Sequence, residues 1–223
     1  MRYLSLAFAA VIGLTVASPG AAQDPIKSNP DVYKLVFENA SVRVLRVAVK
    51  PGGKTTMHEH PDTVIVALSN ARVRFTGADG KPVEVPLKAD EATWAPAEKH
   101  MGENLEKAPA EVLLVELKGT KPGTATIPTN RPDMTITPVF DNPRVMVYKA
   151  VTGAKFHEAP GSTHDFDQIV IALQDNKDVS VNVEGKTKTE WKRGDALFIG
   201  RGQKHESKST GAKPMDVIVV AVK

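Results

Sequence analysis

Hydrophobic positions along this chain fall in short bursts with a period of two. Val42, Val44 and Arg46 interleave with Arg43 and Leu45, the alternation of a strand. Residues 63–68, TVIVAL, form an apolar run of strand length, as expected for a strand buried on both faces. Val73-Arg74-Phe75 leads through Asp79-Gly80 to Val83-Glu84-Val85, which reads as a hairpin. Residues 111–117, EVLLVEL, close this first series. No segment offers a long period-3.6 stripe with caps, so little helix is expected. Many short strands between turn residues predict an antiparallel sandwich or barrel.

The series is written twice. Residues 36–46, VFENASVRVLR, match 139–149, VFDNPRVMVYK, at an offset of 103. Ala67-Leu68 matches Ala172-Leu173 at an offset of 105, which persists through Gly80-Lys81, Asp90, Lys99-His100 and on to Lys118. A constant offset that includes polar positions points to duplication, with two residues added in the second copy. Between the copies, residues 119–133 are dense in Gly, Pro and Thr, the composition of an extended connection. The expected organisation is residues 23–118, a linker at 119–137, and 138–223.

Residues 1–22 read as a secretory signal peptide: Arg2, an apolar stretch over 4–16, then small residues up to Ala22. A 13-residue apolar stretch is short of the roughly 20 that span a bilayer. The expected destination is periplasmic or secreted, with no membrane attachment after cleavage. The chain has no cysteine, so neither a lipid anchor on cysteine nor a disulfide is available. Lys+Arg 29 against Asp+Glu 26 gives a net charge of +3, with no long block of either sign. There is no basic stripe interleaved with aromatics, no Gly-rich phosphate loop and no nucleophile elbow. No nucleic-acid partner is expected, and the lysines over 186–192 read as a solvated face. Trp94 and Trp191 read as core or rim residues.

The six histidines carry the candidate chemistry, three in each copy. Alternation puts His58 and His60 on one strand face, where two imidazoles can chelate one ion. A third, His100 from a neighbouring strand, would complete a three-nitrogen face with positions left open.

Gly52, His58, His60, His100 and Asn104 sit at the spacings of the two sequence motifs of the cupin superfamily, and the duplicated chain resembles its bicupins. The resemblance implies two tandem jelly-roll barrels, with His58, His60 and His100 as ligands of one divalent transition metal (Fe, Mn, Zn or Ni). The Glu that completes the family's usual ligand set falls here on Val64 or Ile65, leaving Asp62 and Glu103 as candidate carboxylates. In the second copy Gly194, Gly202 and His205 keep the family spacing, with Ser209 at the Asn position. The H-x-H positions, however, fall on Thr163 and Asp165. His164 is one residue out of phase and is expected to face away unless a bulge intervenes; His157 takes the place of Gly52. The second copy therefore reads as degenerate.

Two classes of function follow. An enzyme would use the open metal positions on a small, anionic or enolate-forming substrate, as three-His dioxygenases of the superfamily do with iron, or by Lewis-acid chemistry with zinc or nickel. A binding module would hold a metal or small ligand without turnover. A buried carboxylate or Tyr beside the open metal position would favour the enzyme. The chain is expected to act as a monomer or homodimer.

Overall fold

The computed structural model describes residues 23–119, 122–128 and 131–223. The expected signal peptide lies outside these residues. The described chain holds a single helix, α1 (Pro25–Ser28), and 18 strands.

In the first copy, β1 (Tyr33–Glu38), β2 (Val42–Val49), β9 (Ala110–Leu117), β4 (Thr63–Ala67) and β7 (Ala92–Ala95) form an antiparallel sheet in that order. The second sheet runs β3 (His58–His60), β8 (Glu98–Asn104), β5 (Ala71–Gly77), β6 (Pro82–Leu87). The second copy repeats both orders. Its sheets are β10 (Met134–Asp141), β11 (Val145–Thr152), β18 (Met215–Val222), β13 (Asp167–Ala172), β16 (Ala196–Ile199), and β12 (His157–Ser162), β17 (His205–Ser209), β14 (Val179–Val183), β15 (Lys186–Lys188). Even the bulge between Leu35 and Phe37 recurs between Pro138 and Phe140. The fold is two tandem jelly-roll barrels. β10 begins at Met134, within the expected linker of residues 119–137.

The alternation on β2 explains how the barrels are arranged. Leu45 and Val47 point inward and pack with Tyr33, Val112 and Leu114 inside the first barrel. Val42 and Val44 point outward, yet neither is exposed. They join Val64, Val66, Leu113 and Val115 in one cluster with Val145, Val147, Ile169, Ile171, Ile218 and Val220. These are equivalent positions of the two copies, so the same apolar face of each barrel is buried against the other. That is why the strands of these sheets read as nearly continuous apolar runs. Polar contacts border this seam: Arg144 reaches Asp62 at 2.5 Å, and Arg193 reaches Asp90 at 2.6 Å.

Trp191 is buried in the second barrel, its indole N–H donating to the Val179 carbonyl at 3.1 Å. Trp94 packs half-buried against the seam.

Candidate metal centre

The strand β3 places His58 and His60 on the inner face and Glu59 on the other. Its partner β8 sets His100 directly opposite His58 in the register. All three imidazoles are buried, with ring centroids 4.8–5.4 Å apart. One nitrogen from each comes within 4.8 Å of the others. The turn before β3 depends on Gly52, whose φ of +64° favours glycine. Asn104 fixes the same turn by donating to the carbonyls of Val49, Lys50 and Ala108. In the second copy Ser209 keeps one such bond, donating to the Gly153 carbonyl at 2.6 Å.

The second nitrogen of each ring is already committed. His58 Nδ1 lies 2.7 Å from the Thr56 carbonyl, His60 Nδ1 2.6 Å from Glu116, and His100 Nδ1 2.8 Å from Glu98. A carbonyl or an ionised carboxylate only accepts, so each Nδ1 must carry the hydrogen. In a neutral ring each Nε2 is then a lone pair, and three such lone pairs suit a divalent transition metal. Burial pushes His58 down to about 4 and also lowers His100, which keeps these rings neutral near pH 7.

Sequence reasoning missed the groups behind and beside the imidazoles. Glu116, 1% exposed, takes His60 on one oxygen and Arg43 on the other at 2.5 Å; Arg43 in turn meets Asp24 at 2.5 Å. Asp24 also caps α1, accepting from the amides of Ile26 and Lys27. Asn29 takes the Thr56 amide at 2.7 Å. The hydroxyl of Tyr33, a buried residue, lies 2.8 Å from His58 Nε2. Asp24, Asn29 and Tyr33 come from the segment before β2, which shows no periodicity of its own, while Arg43 lies on β2 and Glu116 on β9.

The two carboxylates considered as a fourth ligand are engaged elsewhere. Asp62 accepts from the Ala97 amide and from Arg144, and Glu103 pairs with Arg74 and Lys54. Beside His60 and His100 lies a cavity of about 70 Å³, walled mainly by apolar side chains such as Val47, Ile65, Phe75 and Leu114.

The second barrel corrects one expectation. His164 does not face away: its ring centroid is 4.8 Å from that of His205. The β12–β17 register shifts between Glu158 and Ser162, where Gly161 has a φ of +83°. Ser162 therefore pairs with His205 as His58 pairs with His100. The added residue restores the phase, so His164 occupies the place of His60 and Ser162 that of His58. The supporting groups are absent, however. Ala221 stands where Glu116 would be and Met146 where Arg43 would be, both packed on Phe166. His157 is exposed, 3.6 Å from Glu206.

The fold and site together describe a tandem jelly-roll protein with a three-imidazole pocket. No protein-family model and no curated protein matches the chain. Among solved structures it is similar to a Cupin 2 conserved barrel domain protein from Leptotrichia buccalis, at 9% identity over 86% of this chain and 88% of that one, with a TM-score of 0.58. It is similar to a salicylate 1,2-dioxygenase from Pseudaminobacter salicylatoxidans, at 9% identity over 85% and 76%, with a TM-score of 0.61. AerE from Microcystis aeruginosa matches at 15% identity over 86% and 97%, with a TM-score of 0.59. At these identities the likeness is one of fold.

Proposed function

We propose that this chain is an exported bicupin that holds one divalent transition metal on His58, His60 and His100, and that it is a dioxygenase-like enzyme acting on a small organic molecule. The observation that carries the reading is the shared arrangement of the three rings, each with Nδ1 tied to an acceptor and Nε2 left to accept, from a metal or, at His58 in the metal-free chain, from the Tyr33 hydroxyl. When bound, a divalent ion would supply Lewis acidity or, as iron, the capacity to engage dioxygen. The chain supplies the rest. Glu116, backed by Arg43, holds His60 in orientation, and the Tyr33 hydroxyl stands beside the ligand face as a hydrogen-bond donor. Burial, with the charge of Glu116, holds the Tyr33 phenol well above its ordinary range, so it keeps its proton.

The cavity supports a small substrate. At about 70 Å³ it is smaller than the roughly 150 Å³ apolar cavity that admits benzene, so its closed part takes a short apolar group. A salicylate 1,2-dioxygenase with gentisate is among the proteins of similar fold, which supports oxygen chemistry as the first to assay.

The test is elemental analysis of purified protein, followed by oxygen uptake by the iron-loaded chain on a panel of small organic acids. Uptake abolished by His60→Ala is the expected result. Tight metal binding with no turnover across the panel would instead make this a binding module.

A further inference from the structure

The cluster in the second barrel has the opposite chemistry to the first. Glu158, His164 and His205 bring their polar atoms within 4.8 Å of one another. His205 Nδ1 lies 3.1 Å from the Gln203 carbonyl and Nε2 lies 3.1 Å from Glu158 Oε2. Both partners only accept, so both nitrogens carry hydrogen and the ring is a cation. Burial would lower His205, but the contact with Glu158 raises it, in agreement with that inventory.

Arg131 fixes the other ring. It donates to Glu158 Oε1 at 2.5 Å and approaches His164 Nδ1 at 3.4 Å. A guanidinium only donates, so His164 Nδ1 accepts and Nε2 bears the hydrogen. That N–H is buried and has no hydrogen-bond partner among the described residues, the nearest Glu158 oxygen being 3.4 Å away. The His164 side chain is only 10% exposed.

The count of charges and donors then decides between ligands. Two cations, Arg131 and His205, face one carboxylate, Glu158, and a buried donor is left over. Both rings turn N–H groups, not lone pairs, toward the centre, which disfavours a metal ion. An unpaired buried donor is costly, and an acceptor brought to it would recover that cost. Arg131 and Glu158 also line a cavity of about 60 Å³ whose wall is largely apolar, including Phe156, Val170, Trp191 and Val217.

We propose that the second barrel is a binding site for the carboxylate of a short-chain organic acid. The carboxylate accepts from His164 Nε2–H and from Arg131, and the acyl chain enters the apolar cavity. Arg131 is the anchor. Glu158 limits affinity, because it competes for the same donors. The site shares no residue with the three-His centre and does not depend on the function proposed for it.

The experiment uses the full chain stripped of metal, so that the first barrel offers no ion to a carboxylate. Propionate is titrated by calorimetry, with phosphate and chloride as comparison anions and Co²⁺ as the metal probe. One propionate per chain is expected, bound at least tenfold more tightly than chloride or phosphate. Arg131→Gln should weaken it at least tenfold, while Glu158→Gln should tighten it. A metal site would show the reverse order, with Co²⁺ binding gained in Arg131→Gln and lost in Glu158→Gln. That order, measured in a His60→Ala background, overturns the proposal. No propionate binding by the wild-type chain, or no preference over the inorganic anions, overturns it as well. Should Arg131→Gln fail to fold, the gain expected in Glu158→Gln still decides the matter.

Discussion

The Tyr33 hydroxyl lies 2.8 Å from Nε2 of His58, the atom whose lone pair faces the other two imidazoles. Since His58 donates through Nδ1 to Thr56, this hydroxyl must donate to Nε2 in the metal-free chain. A metal on Nε2 would take that acceptor away. The hydroxyl would then be a free donor at the edge of the cavity that Tyr33 lines. Tyr33→Phe keeps the ring and removes one hydrogen bond, a stability cost of about 1 kcal/mol. Metal content should therefore be unchanged, while turnover falls about a hundredfold, the lower range for a positioned proton donor. Parallel elemental analysis and oxygen-uptake rates check this, and equal rates for both chains would remove Tyr33 from the chemistry.

Glu116 joins His60 to Arg43, and it is almost fully buried. Glu116→Gln preserves shape but removes the charge that orients His60, so metal affinity should fall about 10–100-fold. His58→Ala, His60→Ala and His100→Ala should each abolish tight binding and the stabilisation that a bound ion gives the native state. His205→Ala should leave tight metal binding intact. Competition with a chelator under Co²⁺ across these five variants measures all of this. Loss of metal in the His205 variant alone would move the working site to the other barrel.

Acid should weaken the metal-free chain in a defined window. Burial, with repulsion from His60 and His100, holds His58 at about 4, against about 6.5 when unfolded. Between these values the unfolded chain binds a proton that the folded one refuses, so stability is complete above pH ~6.5 and declines as pH falls toward ~4. The expected loss from this group is about 3 kcal/mol. His205, raised by Glu158, contributes a slope of opposite sign, so His58→Gln is the reference. Urea denaturation of both chains at several pH values between 7.5 and 4 gives the difference. Parallel curves would show that His58 is not held neutral.

The strands and the H-x-H pair were legible in the sequence from local spacing, the duplication from a constant long offset, and the third histidine, His100, from the spacing that the family resemblance supplies. Period-two alternation and H-x-H need only neighbours. Tyr33, Glu116 and Arg43 were not legible as one group, because a two-strand register and a close-packed interior bring them together from 83 residues of chain. His164 shows the limit most plainly. Counting residues put it out of phase, and a single added residue near Gly161, a strand feature with a weak sequence mark, put it back. The second added residue lies between His164 and Gln168, since Gln168 pairs with Ala221 as Thr63 pairs with Glu116.

The seam between the barrels yields a last expectation. Val42 and Val44 of one copy correspond to Val145 and Val147 of the other, Val64 and Val66 to Ile169 and Ile171, and Leu113 and Val115 to Ile218 and Val220; all are buried in the same cluster. Val42 and Val44 are among the residues through which the duplication is visible, and the whole set serves the contact between barrels, not the barrel interiors. Truncating one should therefore weaken both halves together. Ile171→Ala, at a site with no exposure, should cost about 2–5 kcal/mol and lower one shared melting transition. The same face explains what a single copy should do. Residues 23–118 alone would expose Val42, Val44, Val64, Val66, Leu113 and Val115, and an apolar face whose partner is its own equivalent is self-complementary. This fragment should sediment as a homodimer, and Val44→Lys should convert it to a monomer. A monomeric, soluble wild-type fragment would show that the seam contributes little to either barrel.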